Sequence, residues 1–191
     1  FSGLNGDDVC VICGDLTWGM DLDSCEEDFL FIDSLPGRKI ILKGNHDYWW
    51  STAAKARAYF AARGISTIDI LHNNCLFYGA AAICGTRGWM AGEGGEHDRK
   101  ITARELMRLE ASLKAAGAAE KLCFLHFPPK YGDVEWEEAT RLFAEYGVTK
   151  CCYGHLHGKA QSAAFNGIYR GVEYRLVAAD SVDFTPVKIL Q

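Results

Sequence analysis

The sequence lacks several features that mark particular classes of protein. It has no run of five or more lysine or arginine residues, and its formal net charge is -5. Duplex nucleic acid is bound through basic stripes, so we expect no partner of that kind. No apolar stretch approaches the ~18 residues of a membrane span, and the first residues do not resemble a signal peptide. We therefore expect a cytoplasmic protein that has no membrane partner.

Internal repeats and linker-like segments are also missing from the sequence. The length of 191 residues fits a single domain, and we expect one domain over residues 1–191. The hydrophobic fraction of 49% and the charged fraction of 24% are those of an ordinary globular protein with enough apolar material for a core. Nothing in these values predicts an oligomeric state, which stays open.

Paired metal-binding cysteine motifs are scarce, although the chain has eight cysteines. Cys10 and Cys13 have a zinc-like spacing, but no second such pair exists. In a strand this odd separation points the two side chains to opposite faces. Most of the cysteines lie in apolar, strand-like runs, where a free thiol behaves as a small hydrophobe. We therefore predict that they pack in the core.

Short apolar runs alternate with helix-like stretches along much of the chain. This pattern predicts strands at residues 9–13, 39–42, 65–71, 75–78, 80–84, 121–125 and 148–153. It predicts helices at residues 24–35, 51–63, 102–116 and 135–146. A glycine-rich, charged loop is predicted at residues 92–98. Strands that alternate with helices indicate an α/β fold.

Four of the apolar runs end at residue types that bind metal ions. These endings are Gly14-Asp15, Gly44-Asn45-His46-Asp47, His126 and Gly154-His155-Leu156-His157. In an open α/β sheet the loops at the carboxyl ends of the strands converge on one crevice. We therefore expect the four endings to meet in space, whereas any one of them alone would be read as an ordinary polar loop.

The second of these endings, residues 44–47, places a carboxamide, an imidazole and a carboxylate in consecutive positions. Asn45 offers a neutral oxygen to a hard cation, and His46 can carry a proton near neutral pH. Asp47 is expected to hold the His46 ring in place. Gly44 lets the backbone turn sharply enough to aim these groups at one point. The motif therefore suits metal-assisted phosphoryl chemistry.

The four endings resemble the motifs of the calcineurin-like metallophosphoesterases, which run D-x-H, G-D, G-N-H-D, a lone H and G-H-x-H. This chain shows the last four blocks in that order, and the resemblance covers residues 9–186. It looks closest to the bacterial predicted phosphohydrolases of this superfamily. The resemblance implies a four-layer α/β/β/α sandwich of the α/β class. It also implies hydrolysis of a phosphomonoester or a phosphodiester, with a small phosphate ester as substrate.

The same resemblance implies a site for two divalent metal ions. By resemblance Asp15 bridges the two ions. Asn45, His126 and His155 belong to one ion, and His157 belongs to the other. Mixed nitrogen and oxygen ligands of this kind suit Mn, Fe, Zn or Ni, and metal supply decides among them.

The reacting groups implied by the resemblance are a metal-bridging hydroxide as nucleophile and His46 as general acid, oriented by Asp47. No serine or cysteine lies in a comparable motif, so no covalent intermediate is expected. Arg87 follows a predicted strand and is a candidate for binding a substrate phosphate through its guanidinium group, with a plain salt bridge as the alternative. Four tryptophans near these residues either wall the site or pack in the core: Trp18, Trp49, Trp50 and Trp89.

The family's first block, D-x-H on the first strand, is absent from the sequence. The acids before Asp15 are Asp7 and Asp8, and no histidine precedes His46. The first strand is therefore expected to be missing, which leaves the ion of His157 with few protein ligands and predicts weak activity. Three explanations stay open: a fragment that lost the strand, a natural variant with one competent metal site, and a binding module that keeps the fold without catalysis.

Overall fold

The structure is a computed structural model that describes residues 1, 3–90 and 95–190. Its first sheet consists of the parallel, adjacent strands β1 (Val9–Ile12), β2 (Arg38–Ile41) and β3 (Ile68–Ile70). Helix α1 (Glu26–Ser34) connects β1 to β2, and helix α2 (Ala53–Ala62) connects β2 to β3. The alternation of strands and helices predicted from the sequence is confirmed in this half of the chain.

The second half of the chain forms a larger sheet and two more helices. The strands and helices are β4 (Cys75–Tyr78), β5 (Ala81–Thr86), α3 (Glu96–Ala115), β6 (Glu120–Leu125), β7 (Lys130–Tyr131), β8 (Val134–Glu135), α4 (Glu137–Tyr146), β9 (Val148–Tyr153), β10 (Gly167–Tyr169) and β11 (Val172–Leu176). The order across the second sheet is β10-β11-β9-β6-β5-β4, while β7 and β8 form a separate hairpin. Strands β5, β6, β9 and β11 run parallel to one another.

Helix α3 begins earlier than the sequence pattern predicts. Its first turn contains the acidic residues Glu96 and Asp98, which stabilise a helix N-terminus but add nothing to the apolar periodicity that marks a helix. The predicted loop at 92–98 is therefore helical from Glu96 onward. Residues 92–94 of that loop lie outside the described residues.

Three clusters of buried side chains fill the spaces between the layers of the fold. The first cluster joins α1 and α2 to one face of the first sheet, through residues such as Phe29, Phe60 and Ile70. The second lies between the two sheets, and the third joins the second sheet to α3 and α4 through Leu109 and Phe143. The layers therefore follow the order α/β/β/α, which confirms the predicted four-layer fold.

Successive strand residues point to opposite faces, and this alternation distributes the apolar side chains between the layers. In β2 Ile41 faces the helices, whereas Ile40 and the following Leu42 enter the cluster between the sheets. The same alternation occurs in β6, where Leu122 and Phe124 face the first sheet and Cys123 and Leu125 face the helices. Because both faces of these strands are covered, each strand ends in a continuous apolar run, Ile40-Ile41 in β2 and Leu122 to Leu125 in β6.

The eight cysteines are free thiols, and most of them are buried. Burial raises the pKa of Cys84 and of Cys152 to about 12. Cys13 lies in the cluster between the sheets, while Cys10 is only half-buried. The prediction that the cysteines pack in the core is confirmed for the buried ones.

Strand β1 lies at an edge of the first sheet. It pairs with β2 on one side, and no strand in the described part of the chain pairs with its other side. All four residues of β1 are half-buried.

Among the described residues, no helix has both the length and the apolar character needed to cross a bilayer.

The cluster between the sheets yields a test of the layered packing. Leu42 is 1% exposed and Leu30, on the outer face of α1, is 44% exposed. We expect Leu42→Ala to lower the free energy of unfolding by about 2–5 kcal/mol, because it leaves a cavity between the sheets. The matched change Leu30→Ala is expected to cost less than about 1 kcal/mol. Chemical denaturation measures both values, and equal losses would contradict this packing.

Candidate metal centre

The polar motifs lie where the parallel strands of the two sheets end. Ile12 of β1 pairs with Ile41 of β2, and Leu125 of β6 pairs with Tyr153 of β9. Each pair of strands therefore ends at the same level, and the motif residues follow within a few positions. The cluster between the sheets holds these edges against each other, which brings loops from distant parts of the sequence together.

Four of the five predicted metal ligands form one cluster at this edge. The Nε2 atom of His126 lies 2.7 Å from Asn45 Oδ1, 3.2 Å from His155 Nδ1 and 3.5 Å from Asp15 Oδ2. Among the described residues, the ligand atoms of Asp15, His126 and His155 all lie within 4.8 Å of one another. The structure therefore brings together the residues that the resemblance assigns to one ion.

The protonation of the two histidines favours metal binding. The Nδ1 atom of His126 lies 2.8 Å from the carbonyl oxygen of Cys13 and donates to it, so the Nε2 lone pair faces the cluster. Burial lowers the pKa of His126. Burial, together with the charge of His126, lowers the pKa of His155 to about 4. Both rings are therefore neutral near pH 7, which is the form that binds a metal ion.

The donor set of this cluster fits a divalent cation. One carboxylate, one amide oxygen and two imidazole nitrogens lie around a common point, and in the tautomers that bind a metal ion their lone pairs converge on it. Mixed nitrogen and oxygen donors suit first-row transition metals. The residues present therefore fit the metal that the motifs imply.

The backbone around the cluster adopts conformations that need special support. Asp15 has φ +56° and His155 has φ +67°, in the left-handed region that residues with a side chain rarely adopt. A Cβ atom on Gly44 would lie 2.0 Å from Asp15 Oδ1, and one on Gly14 would lie 2.7 Å from His126 Nδ1. The two loops can therefore approach this closely only because glycine occupies both positions.

The carboxylate of Asp47 joins the loop after β1 to the loop after β2. It is 1% exposed and accepts hydrogen bonds at both of its oxygens. The donors are the Asp15 N–H (2.8 Å), the Gly44 N–H (2.7 Å), the Leu16 N–H (3.0 Å) and the Trp49 Nε1–H (3.1 Å). Burial raises the pKa of Asp47, and these hydrogen bonds oppose that rise.

The predicted contact of Asp47 with the His46 ring is not found among the hydrogen bonds of the described residues. A carboxylate has about four lone-pair positions, and in Asp47 they are occupied by the donors just described. The His46 ring instead lies with Nδ1 2.8 Å from the hydroxyl of Tyr48. It also stacks on Trp18, with ring centroids 4.2 Å apart and an interplanar angle of 4°. The backbone N–H of His46 donates to Asp15 Oδ1 at 2.8 Å, which ties it to the cluster.

His157, the fifth predicted ligand, lies outside the group of ligand atoms found among the described residues. Its Nδ1 atom is 2.8 Å from Asp180 Oδ1, and Asp180 Oδ2 accepts the Gly158 N–H at 2.8 Å. This contact orients the ring and leaves Nε2 available.

Arg87 lies beside the cluster, and aromatic rings support its guanidinium group. The carbonyl oxygen of Arg87 accepts the N–H groups of His126 and Phe127. Its Cζ atom lies 5.1 Å from the ring centroid of Trp89 and 6.0 Å from that of Phe127. In the described parts of the chain the side chain has no ion pair, so the plain salt bridge considered for Arg87 is not found. Burial lowers the pKa of Arg87.

Sequence reasoning missed two residues that contact the predicted site, Tyr48 and Asp180. Tyr48 directly follows the motif residue Asp47, and this proximity was the available signal. Asp180 is far from His157 in the sequence and belongs to no motif. Of the four tryptophans considered, Trp49 and Trp50 pack in the core, whereas Trp18 is 66% exposed.

The contacts of Asp47 predict how the site responds to loss of its charge. Asp47→Asn replaces one acceptor oxygen with an NH₂ group, which leaves buried N–H donors of the loops unpaired. We expect the free energy of unfolding to fall by about 2–4 kcal/mol, since each unpaired buried group costs about 1–3 kcal/mol. Thermal or denaturant unfolding measures this loss. The exposed Asp133→Asn is the control, and equal stability of the two variants would contradict the bonding described for Asp47.

Solved structures of other proteins share this fold at low sequence identity. One crystal structure has 14% identity and a TM-score of 0.53, and the alignment covers 80% of this chain and 62% of that chain. The crystal structure of TT1561 of Thermus thermophilus has 16% identity and a TM-score of 0.56, with 82% of this chain and 74% of that chain covered. This chain therefore spans less than two thirds of the first structure. No curated protein matches the chain significantly.

A family-wide comparison gives a more specific result than these structural similarities. The sequence model of the calcineurin-like phosphoesterases matches residues 2–159, which include all of the motif residues discussed above. The resemblance inferred from the motif blocks is thereby confirmed. With most of its length matched, the chain belongs to the calcineurin-like phosphoesterase family.

Proposed function

We propose that this protein is a metal-dependent hydrolase of a small phosphomonoester or phosphodiester. The observation that carries the proposal is the convergence of Asp15, Asn45, His126 and His155 at one edge of the two sheets. Membership of a phosphoesterase family supports the reaction class. The arrangement of donors supports a metal-dependent mechanism over one based on a side-chain nucleophile.

Bound divalent ions would supply an activated water as nucleophile and would offset charge on the phosphoryl oxygens. Asp15 is the carboxylate of the cluster, so it would contribute the negative charge that holds a cation, and by its resemblance to the family motif it would be the ligand that two ions share. His126 and His155 contribute neutral nitrogen donors, and Asn45 contributes a neutral oxygen. Mn, Fe, Zn and Ni are the candidate metals for such a set.

His46 is the general acid in this proposal. Its backbone N–H donates a hydrogen bond to Asp15 Oδ1, so the ring lies at the edge of the cluster of predicted metal ligands. Nδ1 contacts Tyr48, which leaves Nε2 to protonate the leaving oxygen as the P–O bond breaks. The buried cysteines have raised pKa values and are poor nucleophiles, so a covalent intermediate has no part in the proposal.

Arg87 binds an oxygen of the substrate phosphate in this proposal. Arg87 is half-buried beside the cluster, and its guanidinium group lies against the rings of Trp89 and Phe127. A planar guanidinium group in such a position is suited to a phosphate, which accepts two parallel hydrogen bonds.

The position of His157 bears on the number of tightly bound ions. One described cluster contains the ligands assigned to the first ion, and His157 is separate from it and bonded to Asp180. We therefore propose that one ion is held firmly and that the ion of His157 is held more weakly. A chain that holds only one ion would be weakly active or would serve only in binding. The number of metal ions bound per chain distinguishes such a chain from an active two-metal hydrolase.

The metal requirement is tested first through Asp15. Wild-type protein loaded with Mn²⁺ is expected to hydrolyse an aryl phosphate ester, and a chelator is expected to abolish the reaction. Asp15→Asn should weaken Mn²⁺ binding by at least about 100-fold, because a neutral bridge attracts the cation less. Calorimetric titration measures this affinity, with Asp133→Asn as control. Unchanged affinity in the Asp15 variant would show that Asp15 is not a ligand.

The role of His46 is tested by varying the leaving group. His46→Ala is expected to lower kcat by ~10²–10⁴-fold on an alkyl phosphate ester, which needs protonation as it leaves. The loss on an activated aryl ester should be much smaller, and bound metal should be unchanged. Steady-state rates on both esters, together with the metal content of each variant, test whether His46 is the general acid. Equal losses on the two esters would remove His46 from the acid role.

A further inference from the structure

The ring of His46 contacts two partly exposed aromatic side chains. Trp18 is 66% exposed, and its indole lies parallel to the imidazole at 4.2 Å and 4°. Tyr48 is 49% exposed, and its ring stands edge-on to the imidazole at 88°, with the hydroxyl 2.8 Å from Nδ1. Trp18 precedes α1 and His46 follows β2, so the contact between Trp18 and His46 depends on the fold.

The carboxylates near His46 are engaged with other groups. Asp47 accepts its hydrogen bonds from Asp15, Leu16, Gly44 and Trp49. Asp15 accepts the backbone N–H of His46, and its other oxygen faces His126. In the described parts of the chain, the Tyr48 hydroxyl is thus the polar group that contacts the imidazole of His46.

We propose that Tyr48 and Trp18 are the positioning residues of His46, with Tyr48 fixing Nδ1 and Trp18 fixing the plane of the ring. This inference rests on the proposed acid role of His46. It gives these two residues the orienting function that the motif pattern assigned to Asp47. Neither residue is proposed to touch the reacting atoms, so neither is a catalytic residue.

The Tyr48 hydroxyl suits both states of a general acid. In the imidazolium form Nδ1–H donates to the Tyr48 oxygen, and Nε2–H faces the leaving oxygen. When the P–O bond breaks, its electron pair stays with the leaving oxygen, which takes the proton from Nε2. The neutral ring then keeps Nδ1–H on Tyr48, so the contact survives the transfer. Because the hydroxyl is uncharged, it orients the ring without adding negative charge beside it.

Trp18 restricts the remaining freedom of the ring. A hydrogen bond at Nδ1 fixes one atom, but the imidazole can still tilt about that contact. The parallel indole restricts this tilt by stacking on the imidazole. Small displacements of a catalytic group lower rates strongly, so both contacts are expected to affect turnover.

The test removes each contact separately and compares two esters. Tyr48→Phe keeps the ring and deletes the hydroxyl, whereas Trp18→Ala deletes the stack and Trp18→Phe retains an aromatic face. On an alkyl ester we expect Tyr48→Phe and Trp18→Ala to lower kcat by ~10–100-fold, with KM and Mn²⁺ content unchanged. Trp18→Phe should recover most of the loss. The control is Tyr78→Phe, a partly exposed tyrosine on β4, which should behave as wild type.

Nuclear magnetic resonance of ¹⁵N-labelled histidine gives a readout that does not need activity. The ring nitrogen resonances of His46 should shift in Tyr48→Phe and stay unchanged in Tyr78→Phe. Unshifted resonances, or a loss of kcat equal on alkyl and aryl esters, would overturn the positioning role. If His46→Ala itself shows no preference between the two esters, the acid role in the proposed function has failed, whatever the resonances show.

Discussion

The buried carboxylate of Asp47 holds together the two loops on which the candidate metal centre is built. It accepts N–H groups from Gly44 in its own loop and from Asp15 and Leu16 in the loop after β1. These bonds support Asp15 in a left-handed conformation that its side chain disfavours. They also satisfy backbone donors that would otherwise be unpaired at the buried end of the sheet. The position of the Asp15 carboxylate therefore depends on Asp47.

The cluster above Asp47 concentrates lone pairs in a small volume. Asp15, Asn45, His126 and His155 all direct atoms that can bind a metal ion inward, and the lowered pKa values of the two histidines keep their rings neutral. Such an arrangement is costly in an empty protein and favourable around a cation. The close approach of the two loops at Gly14 and Gly44 makes it geometrically possible.

The sequence allowed most of the fold and the composition of this cluster to be predicted, because apolar runs mark buried strands and parallel strands end at one edge. The contacts of single side chains could not be predicted in the same way. Asp47 follows His46 directly, which suggested a pair, but its carboxylate turns back to the N–H of Gly44 as short polar side chains often do in loops. Asp180 reaches His157 from a distant segment, so no local spacing indicated it.

The candidate metal centre requires a cation bound by residues from both sheets, and anomalous X-ray diffraction tests this directly. Crystals grown with Mn²⁺ would be measured at wavelengths on either side of the manganese absorption edge. We expect a strong anomalous peak bounded by Asp15, Asn45, His126 and His155, with a weaker peak or none beside His157. A peak at another place, or no peak among these four side chains in crystals that contain bound manganese, would contradict it.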